Sequence, residues 1–182
     1  MFETLENGTP PTRGSKYSAC VDLYASLDVV IGAGETKVIG LGVCLDFEKI
    51  REIAIKSIFD IDMYTQEEIN SYHIHNFKNS HYLQLMLRSS LGAQGLILPN
   101  GVGIIDLDYK DEIKMIVHNP FTPVHFYHDK DMKMIFKGRK DTSIKINAED
   151  CIAQITLLEH KSYLFGIDTE EERTGGLGST GS

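Results

Sequence analysis

The chain reads as an all-β protein, and three observations carry that expectation. Short runs rich in Val, Ile and Leu recur along its length, separated by Gly, Asn and Pro, the punctuation of strands joined by tight turns. Apolar and polar residues alternate within the runs: in Glu112–His118, Ile113, Met115 and Val117 share one face. Helical spacing is confined to one interval, residues 46–80. Many short strands with turns between them point to a barrel, a sandwich or a jelly roll.

Taken in order, residues 18–45 hold several short strands broken by Gly32, Gly34, Gly40 and Gly42. After Asp46, the positions Phe47, Ile50, Ala54 and Ile58 follow a helical period. Thr65-Gln66-Glu67-Glu68 has the form of a capping box ahead of Ile69, Tyr72 and Phe77, so two short helices are expected here. Glu52–Phe59 also alternates well enough to be read as a strand. Further strands are expected at Tyr82–Leu87, Leu96–Pro99, Glu112–His118, Met132–Phe136, Ser143–Ile146 and Cys151–Leu158. From Asp168 the chain is polar and then glycine-rich, too poor in side chains to pack alone: a disordered end or a flap that a ligand orders.

Composition narrows the function classes. Of 182 residues, 42% are hydrophobic and 24% charged, which suits one domain with its own core. Eighteen Lys and Arg against 26 Asp and Glu leave a net charge of −8, so a general nucleic-acid binder held by phosphate charge is excluded. No apolar run reaches the roughly 18 residues of a membrane-spanning helix, and Met1-Phe2-Glu3 is acidic where a signal peptide would be basic; a soluble, cytoplasmic protein is expected. Cys20, Cys44 and Cys151 are odd in number and lack C-x-x-C spacing, so they read as reduced structural thiols. His73 with His75, and His125, His128, Asp129 and Asp131, lack a third ligand at fixed spacing and read as exposed loop residues rather than a metal site.

The chemistry gathers in four segments: Arg88-Ser89-Ser90-Leu91-Gly92, then Asn100 to Tyr109, then Ala153-Gln154, then Arg173 with the glycine tail. Arg88 and Arg173 offer planar forks for phosphate oxygens, and Ser89 and Ser90 add hydroxyl donors. Gly101 and Gly103 flank a point where backbone can approach a flat group, with Asp106 and Tyr109 just beyond. Carboxylate, aromatic plate and phosphate clamps together describe a nucleotide site. Singly, each has a plainer reading: Asn-Gly as a hairpin turn, Asp106 as its cap, Tyr109 as packing.

Five ordered motifs give these segments a family. Ala19-Cys20-Val21-Asp22-Leu23, Arg88-Ser89-Ser90-Leu91-Gly92, Gly103-Ile104-Ile105-Asp106-Leu107-Asp108-Tyr109, Asp150-Cys151-Ile152-Ala153-Gln154 and Arg173 to Gly181 resemble, in that order, the motifs of the homotrimeric dUTPases (deoxyuridine triphosphate nucleotidohydrolases). The resemblance spans nearly the whole chain. It implies a β jelly roll (β-clip) over residues 1–167 with inserts at about 48–80 and 120–142, and a flexible arm over 168–182 that closes on the active site.

The resemblance also implies roles. Asp106 would deprotonate the water that attacks the α-phosphorus and anchor the 3′-hydroxyl, with Gln154 orienting that water. Tyr109 would lie under the deoxyribose and exclude a 2′-hydroxyl, while the hairpin backbone from Asn100 through Gly103 to Ile105 would pair with the uracil edge. Arg88, Ser89, Ser90 and Gly92 would bind phosphate for a neighbouring subunit of the homotrimer. Arg173 would take the γ-phosphate as Leu177, Gly178 and Ser179 close over the nucleotide. Mg²⁺ would ride on the triphosphate, with Asp22 reaching it only through water.

The chain departs from the family where Cys20 replaces Gly, Glu149-Asp150-Cys151 replaces Gly-Asp-Arg and Leu177 replaces Phe. The inserts Glu48–Ser80 and Pro120–Thr142 exceed the compact pattern; extra structure between motifs three and four is a feature of some phage members, and either insert offers a surface for a protein partner. A dUTPase-like regulator acting through the inserts is therefore one alternative. Another, dCTP deaminase, shares Arg-Ser-Ser, but its catalytic glutamate would fall on Ile116, which cannot shuttle a proton.

Overall fold

In the computed structural model, residues 1–58, 61–121, 124–128, 130–132, 134–139 and 142–167 are described. The apolar runs become β1 (Phe2–Thr4), β2 (Val21–Tyr24), β3 (Val29–Ile31), β4 (Thr36–Gly40), β5 (Val43–Leu45), β6 (His81–Leu87), β7 (Gly103–Asp106), β8 (Lys114–His118), β9 (Val124–His128), β10 (Met134–Arg139), β11 (Ile144–Ile146) and β12 (Cys151–Glu159). Every pairing is antiparallel. One sheet has the order β2-β12-β6-β7, and β1-β5, β4-β8, β3-β11 and β9-β10 form two-stranded sheets. The all-β expectation is met, and the alternation through β8 and the residue before it does what it promised: Ile113, Met115 and Val117 are all buried.

Between β5 and β6 the chain turns helical, as expected. Asp46 caps α1 (Phe47–Lys56) by accepting the Lys49 amide at 3.0 Å, and Ile50 and Ala54 seat the helix on the core. The strand alternative for Glu52–Phe59 is thereby corrected, because cap and buried stripe agree on a helix as far as Lys56, short of Ile58. A single helical turn, Ile61–Met63, follows. The capping box forms as read, Thr65 and Glu68 bonding reciprocally at the head of α2 (Gln66–Glu68). A π turn, Ile69–His73, then leads into α3 (Ile74–Lys78). Its wider turn changes the helical phase, so Ile69 and Phe77 are buried while Tyr72 is left exposed. His73 and His75 therefore lie on helices rather than in a loop; His73 packs edge-on to Tyr64 and Tyr72.

Two further expectations are corrected. Leu96–Pro99 is not a strand: Ile97 makes only an isolated bridge to His118, because Pro99 and the Asn100-Gly101 turn that follows cut the run short. The second insert is a hairpin of β9 and β10, with an irregularity between Phe136 and Arg139, so His125 and His128 sit in a strand. Asn119, the one fully buried polar residue among those described, anchors its base. Its amide donates to the Ile31 and Thr142 carbonyls while its side-chain oxygen accepts the Phe121 N–H.

Candidate functional site

The β2-β12-β6-β7 sheet separates core from site. Leu23, Ala153, Ile155, Leu83 and Leu85 point inward and are buried. On the outer face, cross-strand neighbours run in rows: Asp22–Gln154–Met86, then Thr156–Gln84–Ile104, then Leu158–Tyr82–Asp106. A bulge in β12 sets this phase. Opposite β2 the register slips between Cys151 and Ala153, Ile152 and Ala153 both enter the core, and Cys151, opposite Tyr24, takes the outer face with Gln154.

Three predicted residues, Asp22, Arg88 and Gln154, meet at one corner of this face. Asp22 lies directly across from Gln154. Arg88, just past β6, donates its backbone N–H to the Ile152 carbonyl at 2.9 Å and its Nη1 to Asp22 Oδ1. Arg88 then leads into α4 (Ser89–Ala93), a single turn held down by buried Leu91 with Ser89, Ser90 and Gly92 exposed. Arg88 Nε is buried without a partner among the described residues. Asp22, expected to face a hydrated metal, is here the counter-charge of Arg88, and no cluster of three His, Cys, Asp or Glu suited to a metal occurs among the described residues.

The second corner is β7 and the turn that leads into it; β7 pairs with β6 across a long connection, so the expected Asn-Gly hairpin is instead a tight turn before the strand. Its turn closes with the Gly101 N–H on the Leu98 carbonyl, and Gly101 has φ +74°, a conformation glycine adopts at no steric cost. Gly103 is needed for another reason: a Cβ there would stand 3.1 Å from Leu85 Cβ, so the close approach is to β6. Asn100 and Asp106 are exposed and Ile105 half-buried. The Tyr109 N–H bonds the Asp106 carbonyl at 3.1 Å, and its hydroxyl donates to the Glu112 carbonyl at 3.3 Å, so a ring only 7% exposed lies directly after the turn that carries Asp106.

Strand geometry keeps the two corners apart. Asp106 is in line with Leu158, four residues along β12 from Gln154, and two strands across; that is about 13 Å along and about 10 Å sideways. One chain brings together Asp22, Arg88 and Gln154, and separately Asp106 and Tyr109, but does not bring the two groups together. Arg173, Leu177, Gly178 and Ser179 lie outside the described residues. A mostly apolar cleft of about 350 Å³ lined by Met1, Phe2, Arg13, Val21, Ile53 and Thr156 includes none of the predicted site residues.

Cys151 was missed as a site residue. Burial, then the Asp22 charge, push its thiol above the ordinary range, and the Arg88 charge opposes the shift. The signal available was its position inside motif four, three residues before Gln154.

The chain is 30% identical over 184 aligned positions to the deoxyuridine 5′-triphosphate nucleotidohydrolase of Debaryomyces hansenii, covering 100% of this chain and 86% of that one. It belongs to the dUTPase family. The Candida glabrata dUTPase is 28% identical, covering 97% and 91%. No family model matches the chain. Among solved structures, the dUTPase of Staphylococcus bacteriophage 80alpha superposes with a TM-score of 0.58 at 18% identity, covering 97% of each chain. That of Streptococcus mutans gives 0.55 at 20%, covering 92% and 98%. These structural matches show the fold, a dUTPase-type jelly roll.

Proposed function

We propose that the protein hydrolyses dUTP to dUMP and pyrophosphate, in active sites shared between the copies of a homotrimer. What chiefly supports this is the whole-length likeness to a dUTPase at 30% identity, joined to a sheet face that gathers Asp22, Arg88 and Gln154. The separation of Asp106 from that group argues for sharing: residues too far apart in one chain complete a site when another copy supplies the missing part. Uncovered apolar side chains argue the same way. Leu164, Phe165 and Ile167, just after β12, are 68%, 76% and 85% exposed.

In this reading Asp106 takes the proton of the attacking water, and Gln154 of a neighbouring copy orients it. The Asn100–Ile105 backbone recognises uracil; cytosine reverses donor and acceptor and would leave buried groups unpaired. Tyr109, fixed by Glu112, forms a rigid floor that leaves no space for a 2′-hydroxyl. Arg88 with Ser89, Ser90 and Gly92 holds phosphate from the neighbouring copy, and Arg173 reaches the γ-phosphate. The donor set suits a hard cation carried in by the nucleotide, since Asp22 is a single carboxylate already engaged by Arg88. Such an ion, Mg²⁺, would be held by the nucleotide, with Asp22 reaching it through water, and would supply neutralisation of oxygen charge.

The test is pyrophosphate release measured across dUTP, dTTP, dCTP and UTP. Release from dUTP with the other three at least about a hundred-fold slower is expected, the scale a hydrogen-bonding site can impose. Comparable turnover of dCTP, or none of dUTP, would overturn the assignment.

A further inference from the structure

We propose that Glu112 is a positioning residue for sugar selection: its side chain, held by the β4–β5 turn, fixes the main-chain carbonyl on which the Tyr109 hydroxyl rests, and so keeps the floor under the deoxyribose too stiff to admit a 2′-hydroxyl. The inference rests on the reading that Tyr109 floors the sugar, and it begins from geometry. Tyr109 is held at both ends, its N–H on the Asp106 carbonyl and its hydroxyl on the Glu112 carbonyl. A floor is no firmer than its support. Residues 107–113 lie between β7 and β8 and belong to no strand, so the place of Glu112 has to be set from elsewhere.

The β4–β5 turn sets it. Gly42, at φ +62°, donates its N–H to Glu112 Oε1 at 2.9 Å. The residue that follows is clamped to the same turn: the Leu41 N–H bonds the Ile113 carbonyl at 3.0 Å, and the Ile113 N–H bonds the Val43 carbonyl at 2.8 Å. The turn is itself tied down, since the Leu5 N–H donates to the Gly42 carbonyl at 2.9 Å. Gly40 leaves the space for the side chain; a Cβ there would stand 2.9 Å from Glu112 Cδ and collide with Oε1. Two glycines thus serve one carboxyl group, one by leaving room and the other by donating. Gly42 is buried, so removal of its acceptor leaves an N–H that water does not satisfy, and the chain from Tyr109 to Ile113 has to shift or loosen. Rejection of an added hydroxyl by shape alone is worth about a hundred-fold. It lasts only while the floor does not yield.

The experiment measures kcat/KM for dUTP and for UTP, the Kd of the non-hydrolysable analogues dUpNHpp and UpNHpp, and Tm, in wild type, Glu112→Ala, Glu112→Gln, Tyr109→Phe and Glu112→Ala/Tyr109→Phe. Glu112→Ala should lower the preference for dUTP over UTP by about three- to ten-fold, the scale of one net hydrogen bond. The change should come from faster use and tighter binding of the ribonucleotide, whereas a merely destabilised chain would lose both activities in step and keep the ratio. Glu112→Gln should hold the preference within about two-fold of wild type, because its amide oxygen accepts from Gly42 in the same place. Tyr109→Phe should loosen the floor by itself, and Glu112→Ala should add nothing to the ratio in that background. An unchanged ratio in Glu112→Ala, no rescue by Gln, or an undiminished effect beside Tyr109→Phe overturns the proposal. Should Glu112→Ala not fold, Gly40→Ala drives a methyl into the same space and must lower the preference likewise; an unchanged ratio there is equally fatal. Equal turnover of dUTP and UTP by wild type would sink the Tyr109 reading and this one together, while a selective wild type with an unchanged Glu112→Ala ratio sinks this one alone. Analogue binding without turnover would sink the hydrolase reading and leave this one to the ratio of Kd values; neither binding nor turnover would sink both.

Discussion

Asp106 and Arg88 were legible as a candidate base and a candidate phosphate clamp through the motifs that resemble the family's, and a carboxylate and a guanidinium can carry that chemistry in any fold. Their partners were not legible. Asp22 gains Arg88 from a position 66 residues away, and Cys151 is turned to the outer face by a bulge that no local pattern announces. Asp106 itself supplies the sharpest test at this scale. It is exposed at the end of β7, so Asp106→Asn disturbs no packing. Turnover should fall by at least about a hundred-fold, the usual cost of a lost general base, while analogue binding stays within about ten-fold. Steady-state kinetics and calorimetry decide it, and unchanged turnover would exclude Asp106 as the base.

The helical insert shows which elements are written locally. Asp46, the Ile50–Ala54 stripe and the Thr65–Glu68 box are all short-range signals, and all three form. The π turn was not legible, because its one-residue change of phase is settled by burying Ile69 and Phe77 together. Asp46 gives a pH signature. The Lys49 backbone amide, then the Lys49 ammonium, hold its carboxyl below the ordinary value. A carboxyl lowered by folding contributes stability that is complete above its unfolded pKa, near 4, and is lost as pH falls through the folded value. Thermal melts from pH 6 to pH 2 should therefore show a steeper acid loss for wild type than for Asp46→Asn, which caps without titrating; parallel curves would contradict the cap. A second element-scale prediction concerns the β4–β5 turn. Gly42 has φ +62°, and a Cβ there would lie 2.4 Å from the Gly8 Cα. Gly42→Ala should destabilise by at least about 1–3 kcal/mol through backbone strain alone, read as a lower denaturant midpoint. An unshifted midpoint would mean that the Gly8–Gly42 contact opens freely.

Over the whole molecule, the separated site corners and the uncovered Leu164–Ile167 stretch lead to one expectation. Light scattering should give three chains per particle. Phe165→Asp should lower the mass and the activity together, because burying an unpaired charge against another copy is costly. A fully active single chain would contradict the shared site. The arm gives an independent test: truncation after Glu171 removes Arg173 and the glycine-rich motif, so kcat for dUTP should collapse while the oligomer persists. Undiminished kcat would make the arm dispensable.

Residue order alone determined the strand rhythm, the caps, the placement of the helical insert and, through five ordered motifs, the family. Each of these depends on neighbours a few residues apart or on side-chain chemistry that survives transfer between chains. Tertiary structure decided which strand lies beside which. By seating β12 between β2 and β6 with a bulge at its start, it brought Asp22, Arg88, Cys151 and Gln154 to one corner and left Asp106 two strands away. That outcome was hidden because pairing register is an agreement between distant segments, fixed by burying one face of the sheet, and a single-residue slip of β12 would have turned Gln154 into the core.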